Sequence, residues 1–352
     1  MNSYSTISIV TVPELRDLAE SVHILMTKEQ ERREHAGEEK TFKVRKNIIL
    51  AEIEQFADHE SMAEIKTSLR RTEVFFFFAT PPGEPEIGKA RLSAYLNALQ
   101  GASTSGVHLV APYLIGCRQD RRSKPRVSVT TKEIAKIIQS YGCVQSLFTF
   151  DVHAKQIELA YDIAFHDLSG QVLLAGHSRE VPGWDATSVG IVSPDAGAAT
   201  RADKFEAKTG YELKGFVHKK RKSPNKINRG RYVGDPIAGL HIILPDDLGD
   251  TLGTMAHAAE ILLEEGALSV NAYLTHWLGS PYPVNNHPEL LTAEAKVRKA
   301  KLRIVTTNSI YRSPQYLKDN ADIITVVPCD PMLAKAMIAS LTPAESVSDL
   351  SK

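Results

Sequence analysis

Short apolar runs alternate with helical patterns along this chain, and no other feature restricts its fold as strongly. The runs that read as buried strands cover residues 74–80, 107–115, 146–152, 189–197, 239–247, 269–276, 302–309 and 321–328. Helical patterns cover residues 131–142, 257–266 and 331–340. A strand followed by a helix, repeated along a chain, is typical of parallel sheets that helices cover on both faces. The sequence therefore predicts an α/β fold.

The length of 352 residues suits two domains of ordinary size, each with its own hydrophobic core. Ligands of parallel sheets bind beyond the carboxyl ends of the strands, and several of the predicted strands end in polar residues. Two segments, 27–47 and 279–291, have the composition of surface loops. We expect both to be insertions between the regular elements.

The charge balance excludes some classes of partner. Lys plus Arg and Asp plus Glu number 42 each, so no overall field attracts nucleic acid or an anionic membrane. The three cysteines, Cys117, Cys143 and Cys329, show neither disulfide nor zinc spacing, which favours a reducing compartment. No apolar run approaches the roughly 18 residues of a spanning helix, and the polar start lacks the features of a signal peptide. We expect a cytoplasmic protein without nucleic-acid or membrane partners.

The segment 242–254 combines acids with a turn that contains glycine and threonine at the end of a predicted strand. Asp246 and Asp247 follow the apolar residues, and a turn from Gly249 to Thr254 leads into a helical pattern. Consecutive backbone N–H groups in such a turn, at a helix N-terminus, form an anion site that suits a phosphate. The two carboxylates suit ribose hydroxyls or a magnesium ion, so a phosphorylated sugar is one interpretation. An acid-rich helix N-cap is the other.

Residues 246–254 match the DDxxDTxGT loop that binds phosphoribosyl diphosphate in type I phosphoribosyltransferases and in ribose-phosphate diphosphokinases. Other segments resemble motifs of the diphosphokinases, and they occur in that family's order. They are residues 56–60 (FxDGE), 118–121 (RQDR), 151–156 (DLHAxQ), 193–197 (SPDxG), 218–222 (HKERK) and 345–350 (ESVSxL). On these segments the chain is identified as a member of the ribose-phosphate diphosphokinase family.

The resemblance implies a fold and an activity. The fold is two domains of the type I phosphoribosyltransferase kind, each a mainly parallel sheet flanked by helices, over residues 1–166 and 167–352. The activity is transfer of the β,γ-diphosphoryl group of ATP to the anomeric C1 hydroxyl of ribose 5-phosphate, with release of AMP and with Mg²⁺ as cofactor. Such chemistry depends on positioning and on cations that neutralise developing charge.

The resemblance also implies roles for single residues. The catalytic pair would be Lys219 and Arg221, in a cationic segment between Gly215 and Gly234 that holds seven Lys or Arg and no acid. That segment is expected to be a mobile loop, and a solvated basic turn or a nucleic-acid patch is the alternative. The residues that bind the ribose phosphate would be Asp246, Asp247, Asp250, Thr251, Leu252, Gly253 and Thr254. The residues that bind ATP would be Phe56, Asp58, Glu60, Arg118 and Gln119.

His153 and Asp195 are implied to hold Mg²⁺, with His153 acting through a bound water because carboxylate and phosphate oxygens are the ion's usual ligands. Simpler roles stay open: a hydrogen-bonded histidine for His153, an ion pair for Arg118 and a core position for Phe56. In the family the segment at 56–60 serves the ATP site of a neighbouring protomer. The resemblance therefore implies a homo-oligomer built from dimers, which we expect to be a hexamer.

Departures from the family's pattern bear on the acceptor. Lys220 stands where the family has an acid, Ala198 where it has a second glycine, and Gly116 lies in an altered approach to Arg118. Added positive charge and a small residue would suit an acceptor bulkier than ribose 5-phosphate. Viral relatives of this family act on ADP-ribose and make its 1-diphosphate for rebuilding a nicotinamide dinucleotide. ADP-ribose, in a host cytoplasm, is therefore the alternative acceptor; a phosphoribosyltransferase and an inactive regulatory subunit are the alternative functions.

Overall fold

The computed structural model describes residues 4–223, 226–280, 291–343 and 345–351, without the side chains of 219–223 and 226–229 in the cationic segment. The chain divides into two compact units. Unit 1 takes in Met1–Ser169 and Cys329–Lys352, and unit 2 takes in Gly170–Pro328. Within the described ranges, none of the helices combines the length and the apolar character needed to cross a membrane.

Unit 1 is built on a parallel sheet with the strand order β2-β1-β6-β7-β8-β9, in which β3 also pairs with β1. The strands of this unit are β1 (Ser5–Thr11), β2 (Phe42–Val44), β3 (Ile49–Leu50), β4 (Glu52–Gln55), β5 (Ser61–Glu64), β6 (Glu73–Phe77), β7 (Gly106–Val110), β8 (Val144–Phe150) and β9 (Ala164–Leu168). Its α-helices are α1 (Arg16–His35), α2 (Pro85–Gly101), α3 (Thr130–Ser140) and α9 (Asp330–Leu341). Short 3-10 helices cover Pro13–Leu15, Lys155–Ala160 and Val347–Ser351. Strands β4 and β5 form a separate antiparallel hairpin.

The phenylalanine-rich strand β6 shows why this sheet is covered on both faces. Val74 and Phe76 belong to a core that contains Leu96 of α2 and Ile134 of α3. Since alternate side chains of a strand point to opposite faces, Phe75 lies on the other face, where it is also fully buried. A strand that is apolar on both faces needs a layer of helices on each.

The C-terminal segment belongs to unit 1 because α9 packs against α1. The hydroxyl of Ser21 on α1 donates to Asp330 Oδ2 at 2.6 Å, and Arg33 Nη2 lies 2.6 Å from Glu345 Oε1. The division expected from the sequence, 1–166 and 167–352, therefore needs a revision at its far end. Residues 329–352 return to the first unit, a contact between helices about 300 positions apart that no local pattern reveals.

Unit 2 has a sheet with the strand order β12-β11-β10-β13-β14-β15-β16, parallel except for the antiparallel pair β11–β12. Its strands are β10 (Val189–Ser193), β11 (Glu212–Ser223), β12 (Lys226–Gly234), β13 (His241–Gly249), β14 (Ser269–Trp277), β15 (Leu302–Thr307) and β16 (Ile324–Val327). Its α-helices are α4 (Gly170–Glu180), α5 (Ala199–Thr209), α6 (Gly253–Glu264), α7 (Ala293–Lys299) and α8 (Pro314–Asp319), and a 3-10 helix covers Ala196–Ala198.

Strand β13 lies in the middle of this second sheet and is buried on both faces. Ile242 and Leu244 share a core with Leu262 of α6. Ile243, which points the other way, packs in a second core with Phe205 of α5. The carboxyl end of β13, where the acids lie, is therefore held by two cores.

The expected α/β class, with mainly parallel sheets flanked by helices, is confirmed. The eight predicted strands correspond to β6, β7, β8, β10, β13, β14, β15 and β16, and the three helical patterns to α3, α6 and α9.

The expectation of a loop at 27–47 is wrong. Helix α1 continues through residue 35, and β2 occupies Phe42–Val44. Charged residues with good helix propensity extend α1, and Glu29 pairs with Arg32 and Arg33 at 2.8 Å. Of the other expected insertion, 279–291, residues 281–290 lie outside the described residues.

The expectation of a loop between Gly215 and Gly234 is also wrong for the described part of this segment, where β11 and β12 pair as an antiparallel hairpin. Its backbone pairs from Gly215 opposite Gly234 to Ser223 opposite Lys226. Strand β11 also pairs in parallel with β10, so the hairpin continues the central sheet of unit 2.

Candidate active site

The acidic segment lies where β13 ends and α6 begins. Asp246 and Asp247 are on the last part of β13, and Leu252 precedes α6 with a left-handed backbone, φ +51°. That conformation turns the chain sharply, so the helix starts at Gly253 beside the strand end. Gly253 and Thr254 are exposed. The first backbone N–H groups of a helix lack intrahelical acceptors, and a helix start of this kind suits an anion.

A lysine from α7 contacts the same turn. Lys296 Nζ donates to the carbonyl oxygen of Thr251 at 3.0 Å. This contact ties the turn to a helix 45 residues further along the chain. The sequence contained no signal for Lys296, because only the tertiary fold brings α7 to the loop.

Arg201, on the first turn of α5, lies against both carboxylates of the acidic pair. Its Nη1 is 3.0 Å from Asp246 Oδ1, and its Nη2 is 3.0 Å from Asp247 Oδ2. The N–H of Asp247 also donates to Asp246 Oδ1 at 2.9 Å. The sequence analysis missed Arg201. Its available signal was an arginine six positions after Asp195, at the start of a crossover helix between adjacent strands.

The protonation of Asp246 is shifted by its surroundings. Burial, with Asp247 alongside, raises the pKa of Asp246 to about 7, although Arg201 acts in the opposite direction. Two adjacent carboxylates in a buried position favour the state in which they share a proton. The protonation of the pair should therefore change when a cation or a hydroxyl donor binds next to it.

Asp195 lies at the end of β10, the strand beside β13. Its Oδ1 accepts the N–H groups of Gly197 at 2.9 Å and Ala198 at 3.2 Å, so it caps the 3-10 helix that leads into α5. The Ser193 hydroxyl donates to the Asp195 carbonyl at 2.6 Å. Parallel pairing of β10 and β13 places Asp195 and the acidic pair at the same edge of the sheet.

The backbone of Lys219 and Arg221 lies on β11, the strand on the other side of β10. The side chains of both residues are outside the described residues. Their position in the sheet order is compatible with a role at the edge that carries Asp195.

Buried polar groups at the ends of β14 and β15 support this edge of unit 2, and the sequence analysis did not single them out. The carbonyl oxygen of Thr275 accepts the hydroxyls of Thr307 at 2.7 Å and Ser309 at 3.0 Å. His276 Nδ1 is hydrogen-bonded to Ser309 Oγ at 2.8 Å. All four side chains are buried. The network holds the strand ends next to β13 in one register.

In unit 1, the predicted ATP-binding residues Arg118 and Gln119 follow β7, and His153 follows the neighbouring strand β8. The two segments are joined by Gln156, whose Nε2 donates to Asp120 Oδ2 at 2.6 Å. Gln119 Oε1 accepts the hydroxyl of Thr130 on α3 at 2.6 Å. Arg118, Gln119 and His153 are all exposed, so the structure brings them to one accessible edge of the first sheet.

Phe56, Asp58 and Glu60 lie on the turn of the β4–β5 hairpin. The N–H of Phe56 donates to the Glu60 carbonyl at 2.8 Å, and the N–H of Glu60 donates to Asp58 Oδ1 at 3.1 Å. Phe56 is 48% exposed, which rules out the core position that was its alternative. An exposed aromatic ring on a hydrogen-bonded turn suits contact with a ligand or another protein chain.

A magnesium ion would find partial coordination at these edges. Among the described residues, no group of three or more His, Cys, Asp or Glu side chains is arranged to hold a metal. Mg²⁺ is usually bound by one or two carboxylates plus phosphate oxygens and water, rather than by an all-protein cage. Asp195, next to the acidic pair, fits a magnesium ion that arrives with a phosphorylated substrate.

Comparison with known proteins identifies the family of this chain. A family model for the N-terminal domain of ribose phosphate pyrophosphokinase matches residues 8–142. The ribose-phosphate pyrophosphokinase of Fusobacterium nucleatum is 32% identical over 300 residues, which cover 85% of this chain and 89% of that protein. The chain belongs to the ribose-phosphate pyrophosphokinase family. It is thus a transferase of the pyrophosphokinase type, as its sequence motifs predicted.

Other members of the pyrophosphokinase family match as broadly. The protein from Wolinella succinogenes is 33% identical over 306 residues, covering 85% of this chain and 90% of its own. Ribose-phosphate pyrophosphokinase 2 of Saccharomyces cerevisiae is 32% identical over 299 residues, covering 84% and 87%. These matches extend well beyond the loop at 246–254. A phosphoribosyltransferase that shares only this loop is therefore excluded as the family.

The fold agrees with that family. The crystal structure of phosphoribosylpyrophosphate synthetase from Mycobacterium smegmatis superposes with a TM-score of 0.75 over 96% of this chain and 99% of that one. The two sequences are 23% identical. The expected fold, two mainly parallel α/β domains of the type I phosphoribosyltransferase kind, is confirmed.

Proposed function

We propose that this chain transfers the β,γ-diphosphoryl group of Mg-ATP to the C1 hydroxyl of ribose 5-phosphate and releases AMP. One observation carries the proposal: the acidic pair and the start of α6 lie at one strand end, in a member of the pyrophosphokinase family. A phosphate and a set of vicinal hydroxyls are the two recognition features of ribose 5-phosphate. The strand end offers a separate group for each.

The turn and the acidic pair are proposed to bind different parts of the acceptor. The N–H groups of the turn Asp250–Thr254 suit the 5′-phosphate, since a helix N-terminus carries partial positive charge. Asp246 and Asp247 suit the ribose hydroxyls, because a carboxylate is a strong acceptor. Binding at both ends orients C1 for attack on the β-phosphorus of ATP.

The groups proposed for ATP are Arg118 and Gln119 at the edge of the first sheet and Phe56, Asp58 and Glu60 on the hairpin. Lys219 and Arg221 are proposed to stabilise charge that develops on the diphosphoryl group during transfer. In unit 2, Asp195 is proposed as a ligand of Mg²⁺, and in unit 1, His153 is proposed to act on Mg²⁺ through a bound water. Bound Mg²⁺ would neutralise phosphate charge.

The exposed ring of Phe56 supports a homo-oligomer in which one protomer contributes to its neighbour's ATP site. A dimer-based assembly, expected to be a hexamer, is part of this proposal. Sedimentation velocity measures it, and a monomer in the presence of Mg-ATP would contradict it.

ADP-ribose shares the 5′-phosphate and ribose of the smaller acceptor, so the turn at 250–254 does not distinguish between them. One departure that favoured a bulkier acceptor, the small residue Gly116, has a local structural explanation. Gly116 has φ +77°, and a Cβ at that position would lie 2.9 Å from Thr130 Cγ2. The local backbone therefore requires glycine there, whatever the acceptor.

The test is incubation with ATP, Mg²⁺ and each acceptor separately, with products read by mass spectrometry. Ribose 5-phosphate should gain two phosphates while AMP appears in equal amount. Formation of ADP would contradict diphosphoryl transfer, and absence of any product would identify an inactive subunit. A higher kcat/KM for ADP-ribose would make that molecule the acceptor, because the ratio measures differential transition-state stabilisation.

A further inference from the structure

Arg201 faces both acids of the pair Asp246–Asp247. Its two terminal nitrogens contact different carboxylates, each at 3.0 Å. A guanidinium is a planar fork with donors in fixed directions, so one arginine can bind two carboxylates at once. A single ammonium has no such geometry.

The backbone alone would not bring these two carboxylates together. Successive side chains of a strand point to opposite faces, and Asp246 and Asp247 are successive residues of β13. Here both reach the same guanidinium, and the N–H of Asp247 also contacts Asp246 Oδ1 at 2.9 Å. Three contacts therefore hold the two acids in one arrangement.

Arg201 is itself well placed by the fold. It lies on the first turn of α5, three residues after the 3-10 helix that Asp195 caps. The next residue, Ala202, is fully buried in the core with Phe205 and Ile243, so α5 cannot shift freely along the sheet. The Arg201 side chain is 27% exposed, which limits its movement without sealing it from solvent.

From this geometry we infer that Arg201 is a positioning residue, which orients Asp246 and Asp247 so that their oxygens accept the ribose hydroxyls. The inference rests on the proposed function, since it assigns the acids to an acceptor that is a ribose phosphate. Arg201 acts through the two acids and does not contact the ribose. Arg201 contacts one oxygen of each acid, Oδ1 of Asp246 and Oδ2 of Asp247, and a carboxylate has two oxygens with about four lone-pair sites.

The test compares Arg201→Lys with Arg179→Lys, an arginine on the exposed face of α4 in the same unit. Lysine keeps the charge but cannot hold both acids. For Arg201→Lys, KM for ribose 5-phosphate should rise by at least about tenfold, while kcat and KM for Mg-ATP change by less than about twofold. Arg179→Lys should match the wild type in all three.

A second variant separates positioning from stability. Arg201→Ala should show the same loss, and millimolar guanidinium should restore part of the affinity for ribose 5-phosphate, since the ion can occupy the same position. Urea unfolding of each variant checks that the fold is intact. Equal increases in KM for both substrates, an unchanged KM for ribose 5-phosphate, or absence of rescue in a folded Arg201→Ala protein would overturn the inference.

Calorimetry with ribose 5-phosphate alone distinguishes failure of this inference from failure of the proposed function. If the wild type binds ribose 5-phosphate but forms no AMP, the proposed function fails. The dissociation constants of the variants then decide the role of Arg201, with the same expected increase of about tenfold. A wild type that does not bind ribose 5-phosphate at all would overturn both.

Discussion

At the scale of the residue, the acidic pair shows how a binding site is built at a cost in stability. Asp246 and Asp247 are successive acids in a largely buried position, and burial is the main reason that the pKa of Asp246 rises to about 7. Arg201 offsets part of the repulsion by contacting both. The proposed site for the ribose hydroxyls therefore holds two carboxylates side by side, and one arginine contacts both.

The raised pKa predicts a dependence of stability on pH. Because the folded pKa of Asp246, about 7, exceeds the ordinary 3.8, the protonated form stabilises the fold. This stabilisation is complete below about pH 4 and is lost as the pH rises through about 7. From pH 5 to pH 8, the unfolding free energy of the wild type should fall by about 1–3 kcal/mol relative to Asp246→Asn, which does not titrate. Urea unfolding at both pH values measures the difference, and parallel pH profiles would contradict the shift.

Lys219 carries the second prediction at this scale. If its charge acts only on the diphosphoryl group in transfer, Lys219→Ala should lower kcat by about 10²-fold or more and leave the dissociation constant of ATP within about threefold. The matched control is Lys222→Ala, which removes the same charge from the same strand. A near-normal kcat for Lys219→Ala would show that this lysine takes no part in the transfer, and an equal loss in the control would show that the segment acts only by its net charge.

At the scale of the element, the turn at Gly116 positions Arg118 and Gln119, the residues predicted to bind ATP. Gly116 adopts φ +77°, and its carbonyl accepts the N–H of Gln119 at 3.1 Å and the hydroxyl of Thr131 at 3.0 Å. Thr130 in turn donates to Gln119 Oε1. Hydrogen bonds therefore link the start of α3 to the Arg118–Gln119 segment.

Replacing Gly116 by alanine should disturb these hydrogen bonds between α3 and the Arg118–Gln119 segment. An alanine at positive φ costs about 1–2 kcal/mol, and its Cβ would also lie 2.9 Å from Thr130 Cγ2 and 3.2 Å from Ile134. Gly142, at the other end of α3, has φ +66° but no atom within 4 Å of such a Cβ. Both variants should lose stability in urea unfolding, and only Gly116→Ala should raise KM for ATP. An equal KM effect in Gly142→Ala would contradict the role of the turn.

At the scale of the whole molecule, the chain leaves unit 1, forms unit 2 and returns. Helix α9 brings Leu333, which is fully buried, into unit 1 from the far end of the chain. A cavity at this position should weaken unit 1 and leave unit 2 unaffected. The opposite should hold for Ile304 on β15, which is also fully buried.

Hydrogen exchange can test this division. Leu333→Ala should lower the free energy of exchange by about 2–5 kcal/mol for amides in residues 4–169, and Ile304→Ala should do so for amides in residues 170–280. Uniform loss of protection over the whole chain in either variant would show that the two units unfold together.

The sequence by itself determined what depends on local pattern. Runs of apolar residues such as 74–78 and 242–244 predict strands buried on both faces, because only such strands remain apolar at every position. The sequence also predicts a phosphate site at 246–254, because acids, glycines and threonines follow one another at the end of a strand. The local predictions that were wrong concerned charged segments, which were expected to be loops. Residues 27–35 form helix, and residues 215–223 and 226–234 pair as antiparallel strands, since an element that a neighbouring element holds in place needs no apolar pattern of its own.

Tertiary structure alone decided which distant groups meet. Arg201 reaches Asp246 and Asp247 because β10 and β13 are adjacent, although 45 residues separate Arg201 from Asp246. Lys296 reaches Thr251 from another helix, and α9 returns to α1 from the opposite end of the chain. The physical reason is the same in each case: side-chain contacts form between elements that share a core, and packing chooses those elements by shape and burial rather than by separation along the chain.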